Sequence, residues 1–202
     1  MPIIQQKYKI DRRCGVNISG REKSAFNTRP SRPGQHGKNM RRKVSEMGKR
    51  LLEKQKLRFY YGLSELQFRS LFRKSAKGVG ERGLKFVRLL ETRLDSVVFR
   101  LKWAPTIYAA KQLISHGHVK INDTRVKSAS HAVHPGDIVS LSDTMKNNGV
   151  VNITMESSER DIPSYIDASS GQLLKLPDSI DEVLYPNYMN LQMIIEWYSR
   201  LI

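Results

Sequence analysis

"LKFVRLLETRLDSVVFRLKWAPTIYAAKQLISHGHVKIN" (Leu84–Asn122) contains two periodicities, and the switch between them sets the fold. Val87, Leu90, Leu94, Val97, Val98 and Leu101 recur at the three- and four-residue spacing of one buried helix face, which predicts a single helix over 84–101. "KWAP" (102–105) interrupts it, since a proline cannot continue a helix and restricts the residue before it. Thr106 can cap a second helix, "IYAAKQLIS", which Gly117 stops. From His118 the period is two. "HVKIN" and "TRVKS" flank Asn122-Asp123, a hairpin-turn pair, and Pro135-Gly136-Asp137 makes a further turn before the strand "IVSL" (138–141).

Helix-turn-helix followed by a small antiparallel sheet is therefore the reading for 91–152. Towards the C-terminus, "VVNITM" (150–155) reads as a strand and "GQLLKLP" (171–177) as a short one. "NLQMIIEWYSRL" (190–201) reads as a closing amphipathic helix within 153–202. Towards the N-terminus, residues 44–90 form a helical domain. Ser45 caps a helix with Met47, Leu51, Leu52, Gln55 and Phe59 on one side and Lys49, Arg50, Lys54, Lys56 and Arg58 on the other, ended by Gly62. Ser64 with Gln67 makes a capping box for the next helix, whose apolar face is Phe68, Leu71, Phe72 and Ala76. The tight connection predicts an antiparallel pair. Residues 1–43 hold no sustained period and read as an extended basic arm. The fold class is α+β.

At 202 residues the chain can bury a sizeable core. Its formal net charge of +16 exceeds what solubility requires, and it is regional. Residues 1–60 carry 17 Lys and Arg against 4 Asp and Glu, residues 61–130 carry 14 against 5, and residues 131–202 carry 4 against 10. Such an excess points to a polyanionic partner for the first two-thirds, and the acidic remainder to solvent or a basic protein neighbour. Cys14 is the only cysteine, so no internal disulfide forms and a reducing cytoplasm is expected. No apolar run approaches the ~18–20 residues of a membrane span.

Motifs for catalysis are missing. The sequence holds no phosphate-cradling glycine loop and no G-x-S-x-G, and "KGVGERG" (77–83) reads as a linker. His116, His118, His131 and His134 fall within a short span, but a zinc site usually needs four N or S ligands and the one thiol is far away in sequence. No metal and no cofactor is expected.

Nucleic-acid contacts are better supported. "SRPGQHGKNMRRK" (31–43) has glycines that allow close backbone approach, with Gln35 and His36 as hydrogen-bonding groups. Arg32, Lys38, Arg41, Arg42 and Lys43 are there to neutralise phosphates. Lys49, Arg50, Lys54, Lys56 and Arg58 line the following helix, and docking such a stripe on a phosphate backbone releases counterions. In the 91–152 module the candidates are Arg93, Lys111, Gln112, His116, His118, Lys120 and Arg125. The second helix opens with Thr106-Ile107-Tyr108-Ala109-Ala110, poor in base-reading donors, so the module suits the shape of folded RNA better than a DNA groove.

"RPGQHGK", "EKQKLRFYYGLSELQFR", "LLETRLDSVVFRL", "AAKQLISHGHVKIN", "HPGDIVSL" and the ending "EWYSR" resemble, in order, the S4 family of bacterial-type small-subunit ribosomal proteins. The resemblance implies a structural constituent of the small subunit that binds a multi-helix junction in the 5′ domain of the rRNA and nucleates assembly. It further implies contact with neighbouring ribosomal proteins, a place beside the channel through which mRNA enters, a contribution to translational accuracy, and a location in the ribosome of a bacterium or an organelle. Some members repress translation of their own mRNA. The resemblance also implies that 91–152 is an RNA-binding module shared with some RNA-modifying enzymes. Members that hold zinc use four N-terminal cysteines, whereas this arm has Cys14 alone. An RNA-modifying enzyme and a free-standing RNA-binding regulator are the alternative readings.

Overall fold

The computed structural model describes residues 7–18, 24–38, 44–77, 80–146, 148–157, 160–183, 185 and 189–199. Two compact units emerge, one made of residues 1–72 with 186–202 and one of residues 73–185.

The first unit is helical. Its N-terminal segment is extended only in part. Lys7–Cys14 forms α1 and Ala25–Thr28 a short α2. Ile10, Cys14 and Ile18 are buried together, with Phe59 and Tyr60 packed against them. This anchoring cluster has too few apolar positions to register as a period in the sequence. Asp11, itself buried, closes the local loop by accepting from the Ile18 N–H at 3.3 Å and the Ser24 hydroxyl at 3.0 Å.

α3 (Glu46–Tyr60) starts as expected, with the Ser45 side chain accepting from the Gly48 N–H, and ends at Gly62, whose φ is +56°. α4 (Glu65–Ser75) has its capping box: Gln67 N–H donates to Ser64 Oγ, and Ser64 N–H donates to Gln67 Oε1. The expected α3–α4 pair gives way to a different partner. The closing helix α10 (Leu191–Ser199) packs along α3, and Phe68 and Phe72 of α4 meet its Tyr198, stacked with Phe72 at 4.4 Å between ring centres. α3 is also rotated from the expected orientation. Met47 and Leu51 face solvent, while Leu57, Lys54 and Lys56 are buried. The long lysine stems cover apolar surface, and their ammonium groups end on carboxylates, Lys54 on Glu65 and Lys56 on Glu53, each at 2.6 Å.

The second unit holds the module. The predicted helix 84–101 is two helices, α5 (Arg82–Glu91) and α6 (Leu94–Arg100). Arg93 is extended at the break, with ψ 140°. The periodicity runs on across it because Leu90, Leu94, Val97 and Val98 all enter the same core. A segment distant in sequence makes the break tolerable. Leu94 N–H donates to His131 O, Asp95 N–H to Ala129 O, and Val133 N–H to Thr92 O, so backbone groups freed from the helical ladder find partners. α7 (Ile107–Ser115) is capped by Thr106, which accepts from the Ala109 N–H, and packs against α6.

β1 (Val119–Ile121) pairs antiparallel with β2 (Thr124–Arg125) and with β3 (Val139–Leu141), giving the order β2-β1-β3. Asn122 and Asp123 both take positive φ, as the two-residue turn requires. Val119, Ile121, Val139 and Leu141 are buried beneath the sheet. Burial of such a side chain contributes about 1.5–3 kcal/mol.

Beyond a short α8 (Asp143–Lys146), "VVNITM" lies in a helix, α9 (Gly149–Glu156), where its β-branched run predicts a strand. The Asn148 side chain caps it, and the buried positions are Val151 and Thr154, three apart, the spacing of a helix resting one side on a core. "GQLLKLP" contributes isolated bridges, Gln172 to Ile138 and Leu173 to Ile166, but no regular strand.

Candidate nucleic-acid interface

Positive side chains in this chain fall into two physical classes, those that face solvent and those committed to carboxylates inside the protein. The loop around residues 31–38 belongs to the first. Arg32, Gln35, His36 and Lys38 are exposed. The loop backbone is nevertheless held. Gly37 N–H donates to Gly34 O at 3.2 Å, and the Arg12 guanidinium of α1 donates to the carbonyls of Ser31 at 2.8 Å and Arg32 at 3.3 Å. A side chain at position 37 would run into the Arg32 carbonyl, so glycine is required there. Arg12 is absent from the sequence-derived set because no local pattern links α1 to this loop. Arg41, Arg42 and Lys43 lie outside the described residues.

Along α3 the expected stripe is divided. Lys49 is exposed and pairs with Glu46 at 2.7 Å. Arg50 reaches Glu196 of α10 at 3.1 Å. Arg58 donates to Gln55 Oε1 at 2.9 Å and lies 3.7 Å from Glu65, over the Phe59 ring. With Lys54 and Lys56 buried on Glu65 and Glu53, these cations set the packing of α3 as much as its outward charge.

Arg93 is likewise internal. Its guanidinium is fork-to-fork with Asp95, at 3.0 and 2.8 Å, and the Asp95 carboxylate is fully buried. Lys111 of α7 approaches the same carboxylate at 3.5 Å, and burial lowers its pKa against the opposing pull of Asp95. A second buried pair, Arg100 with Glu91, takes a hydrogen bond from the Tyr165 hydroxyl at 2.9 Å. Burial and the Glu91 charge push the Tyr165 phenol far above its ordinary range.

The turn from α7 into β1 gathers the remaining candidates. Gln112 and His116 are exposed, and the His116 and His118 rings lie 6.1 Å apart, edge to face. His118 is tied to the end of β3: its carbonyl accepts from Ser142 N–H at 2.8 Å and its Nδ1 meets Ser142 Oγ at 3.4 Å. Lys120 and Arg125 are directly opposed across β1 and β2. Like charges in that position repel and destabilise a sheet, by a few tenths of a kcal/mol or more. They lie on the side opposite Val119 and Ile121, turned away from the core. Gly117, at φ +77°, brings the corner close to its neighbours, since a Cβ there would stand 3.1 Å from Arg125 Cδ and 3.5 Å from Lys127 Cε. Lys127 thus completes this patch. The alternation of "TRVKS" places it two residues from Arg125, a signal the sequence does carry. Among the described residues no three His, Cys, Asp or Glu side chains gather as a metal site would require.

Comparison with known proteins adds an independent line. The family description "Ribosomal protein S4/S9 N-terminal domain" matches residues 3–91, and "S4 domain" matches residues 92–139, the boundary falling at the α5–α6 break. The chain is 44% identical over 197 residues to the small ribosomal subunit protein uS4 of Novosphingobium aromaticivorans, covering 96% of this chain and 97% of that protein. It is 43% identical over 202 residues to the protein of the same name from Xanthobacter autotrophicus, at 98% of both chains. Identity to that of Sinorhizobium medicae is 42% over 199 residues, at 96% and 97%.

Proposed function

We propose, from the premise that this chain belongs to the ribosomal protein S4 family, that two solvent-facing basic surfaces grip small-subunit rRNA while the buried cations hold those surfaces in shape. The protein is a structural constituent of the small ribosomal subunit, binds rRNA, and is not an enzyme. The first surface is the loop bearing Arg32, Gln35, His36 and Lys38, together with Lys49. The second is the corner of Gln112, His116, His118, Lys120, Arg125 and Lys127. Arg50, Lys54, Lys56, Arg58, Arg93 and Lys111 act as positioning residues.

The observation that carries this reading is the pairing of Lys120 with Arg125 across the outward face of the sheet, with Asp143 the acidic group in electrostatic reach of Lys120. A polyanion laid across that face converts the repulsion into attraction and releases its condensed counterions. Backbone amides and glycines of the 31–38 loop suit close approach to phosphate oxygens, and hydroxyl- and edge-reading groups are few, so recognition is chiefly of RNA shape.

On this reading the basic surfaces contact a multi-helix junction of the 5′ domain, and the acidic stretch 131–202 faces solvent or a basic protein neighbour. Such contacts favour compact rRNA and so nucleate assembly. Placement beside the mRNA channel, an influence on accuracy and repression of its own message are extensions of the same RNA-binding surfaces.

Footprinting of naked small-subunit rRNA with the full chain tests the reading. Protections should cluster at one junction and weaken with rising salt. Replacing Lys120, Arg125 and Lys127 by alanine should flatten the salt dependence by roughly two to three ions, at about 0.7–0.9 per lost phosphate contact. An unchanged slope would remove the second surface from the interface.

A further inference from the structure

α4 carries positive charge that no carboxylate answers, the reverse of α3. On α3, Lys49, Arg50, Lys54 and Lys56 each end on a carboxylate, at distances from 2.6 to 3.1 Å. α4 has a single carboxylate, Glu65, and it is engaged by Lys54 at 2.6 Å and by the Tyr198 hydroxyl at 3.2 Å. Phe68, Phe72 and Ser75 turn one side of α4 into the protein. Leu66, Arg69, Ser70 and Arg73 share the opposite side, within an arc of about 100°, and all four are exposed, Leu66 at 81%. Among the described residues Arg69 and Arg73 have neither a hydrogen bond nor an ion pair, and Arg69 has the Tyr198 phenol as its electrostatic neighbour. Four residues apart, the two arginines stand about 6 Å from each other along the helix axis and repel. Arg73 lies in the last turn, where the helix dipole favours a cation. Arg69 is mid-helix and gains nothing from it.

We propose that this face of α4 is a third rRNA contact, with Arg69 and Arg73 on neighbouring phosphates of one strand and Leu66 against an adjoining sugar. A nucleic-acid strand presents its anions in an unbroken row, so a strand running along α4 answers both arginines at once and turns their repulsion into attraction. Guanidinium forks take phosphate oxygens in pairs. An acidic protein segment would have to offer two carboxylates at the same interval, whereas rRNA is the polyanion this chain's family binds. The α4 contact rests on the rRNA-binding reading and extends it to a helix outside both surfaces described above.

Filter binding of naked small-subunit rRNA by the full chain, across a salt series, tests this. Arg69→Ala and Arg73→Ala should each weaken binding and lower the salt slope by roughly one ion, and the double substitution by roughly two, at about 0.7–0.9 per phosphate contact. The thermal midpoint should stay within a few degrees, since both side chains are exposed. Arg69→Lys with Arg73→Lys, which keeps both charges, should leave the slope near that of the parent. A photoreactive benzoyl-phenylalanine replacing Leu66, with both arginines intact, should crosslink to a single rRNA segment mapped by reverse-transcription stops. An unchanged slope in the double alanine variant, or a probe at position 66 that joins only protein in assembled subunits, overturns the α4 contact. The wider reading then stands as long as replacing Lys120, Arg125 and Lys127 still flattens the salt dependence. Absence of rRNA binding by the unsubstituted chain overturns both.

Discussion

Arg93 and Arg125 are two arginines in one module, and replacing each by alanine should produce opposite signatures. The Arg93 side chain is 9% exposed and the Asp95 carboxylate it holds is 0% exposed. Arg93→Ala leaves that carboxylate with the Ser96 N–H at 3.0 Å and the Lys111 ammonium at 3.5 Å, two of the groups that now share it with Arg93. Breaking a buried pair from one side typically costs about 3–5 kcal/mol. For a protein of this length each kcal/mol shifts the midpoint by about 2–4 °C, so the thermal transition should fall by roughly 6–20 °C. Removing the carboxylate as well, in Arg93→Ala with Asp95→Ala, should recover part of that loss, because no orphan anion remains.

Arg125→Ala should leave the midpoint within a few degrees, since its side chain is exposed, and should reduce the salt slope of rRNA binding by roughly one ion. The assays are thermal unfolding followed by circular dichroism and filter binding across a salt series. If Arg93→Ala unfolded within about 1 kcal/mol of the parent while flattening the salt slope as Arg125→Ala does, the division of the cations into positioning and contacting groups would be wrong.

Tyr165→Phe removes the hydroxyl donor to buried Glu91 and should destabilise by about 1.5–3 kcal/mol in urea, with the denaturant slope unchanged. Burial pushes the Cys14 thiol up to about 11 from its usual 9.0. Ionisation is therefore harder in the folded chain, so the stability difference between the parent and Cys14→Ala should be flat below pH 9. It should then shift against the parent as pH rises towards 11, by about 2–3 kcal/mol at most. A pH-independent difference would contradict the burial. Gly37→Ala forces its new methyl against the Arg32 carbonyl, and it should weaken rRNA binding severalfold without moving the thermal midpoint. Equal affinity in filter binding would show that the loop conformation does not matter to the contact.

Much of the architecture follows from local chemistry. Ser45, Ser64 and Thr106 cap their helices, Gly62 and Gly117 stop theirs, and Asn122-Asp123 turns the hairpin, because each acts on backbone groups only a few residues away. Net charge and the alternation in "HVKIN" and "TRVKS" likewise mark the basic sheet face without any knowledge of packing. Tertiary structure alone decided three other matters. The 84–101 helix breaks at Arg93 because residues 129–133 supply partners for the interrupted ladder, and both halves still feed one core, so the periodicity hides the break. "VVNITM" is helical because Asn148 caps it and Val151 and Thr154 are its buried positions, which overrides its β-branched composition. Which cations face outward depended on carboxylates distant in the chain, Glu65 for Lys54 and Glu196 for Arg50. A charge is legible in sequence, but its availability is set by whatever the fold brings within about 4 Å of it, and those neighbours carry no local signature.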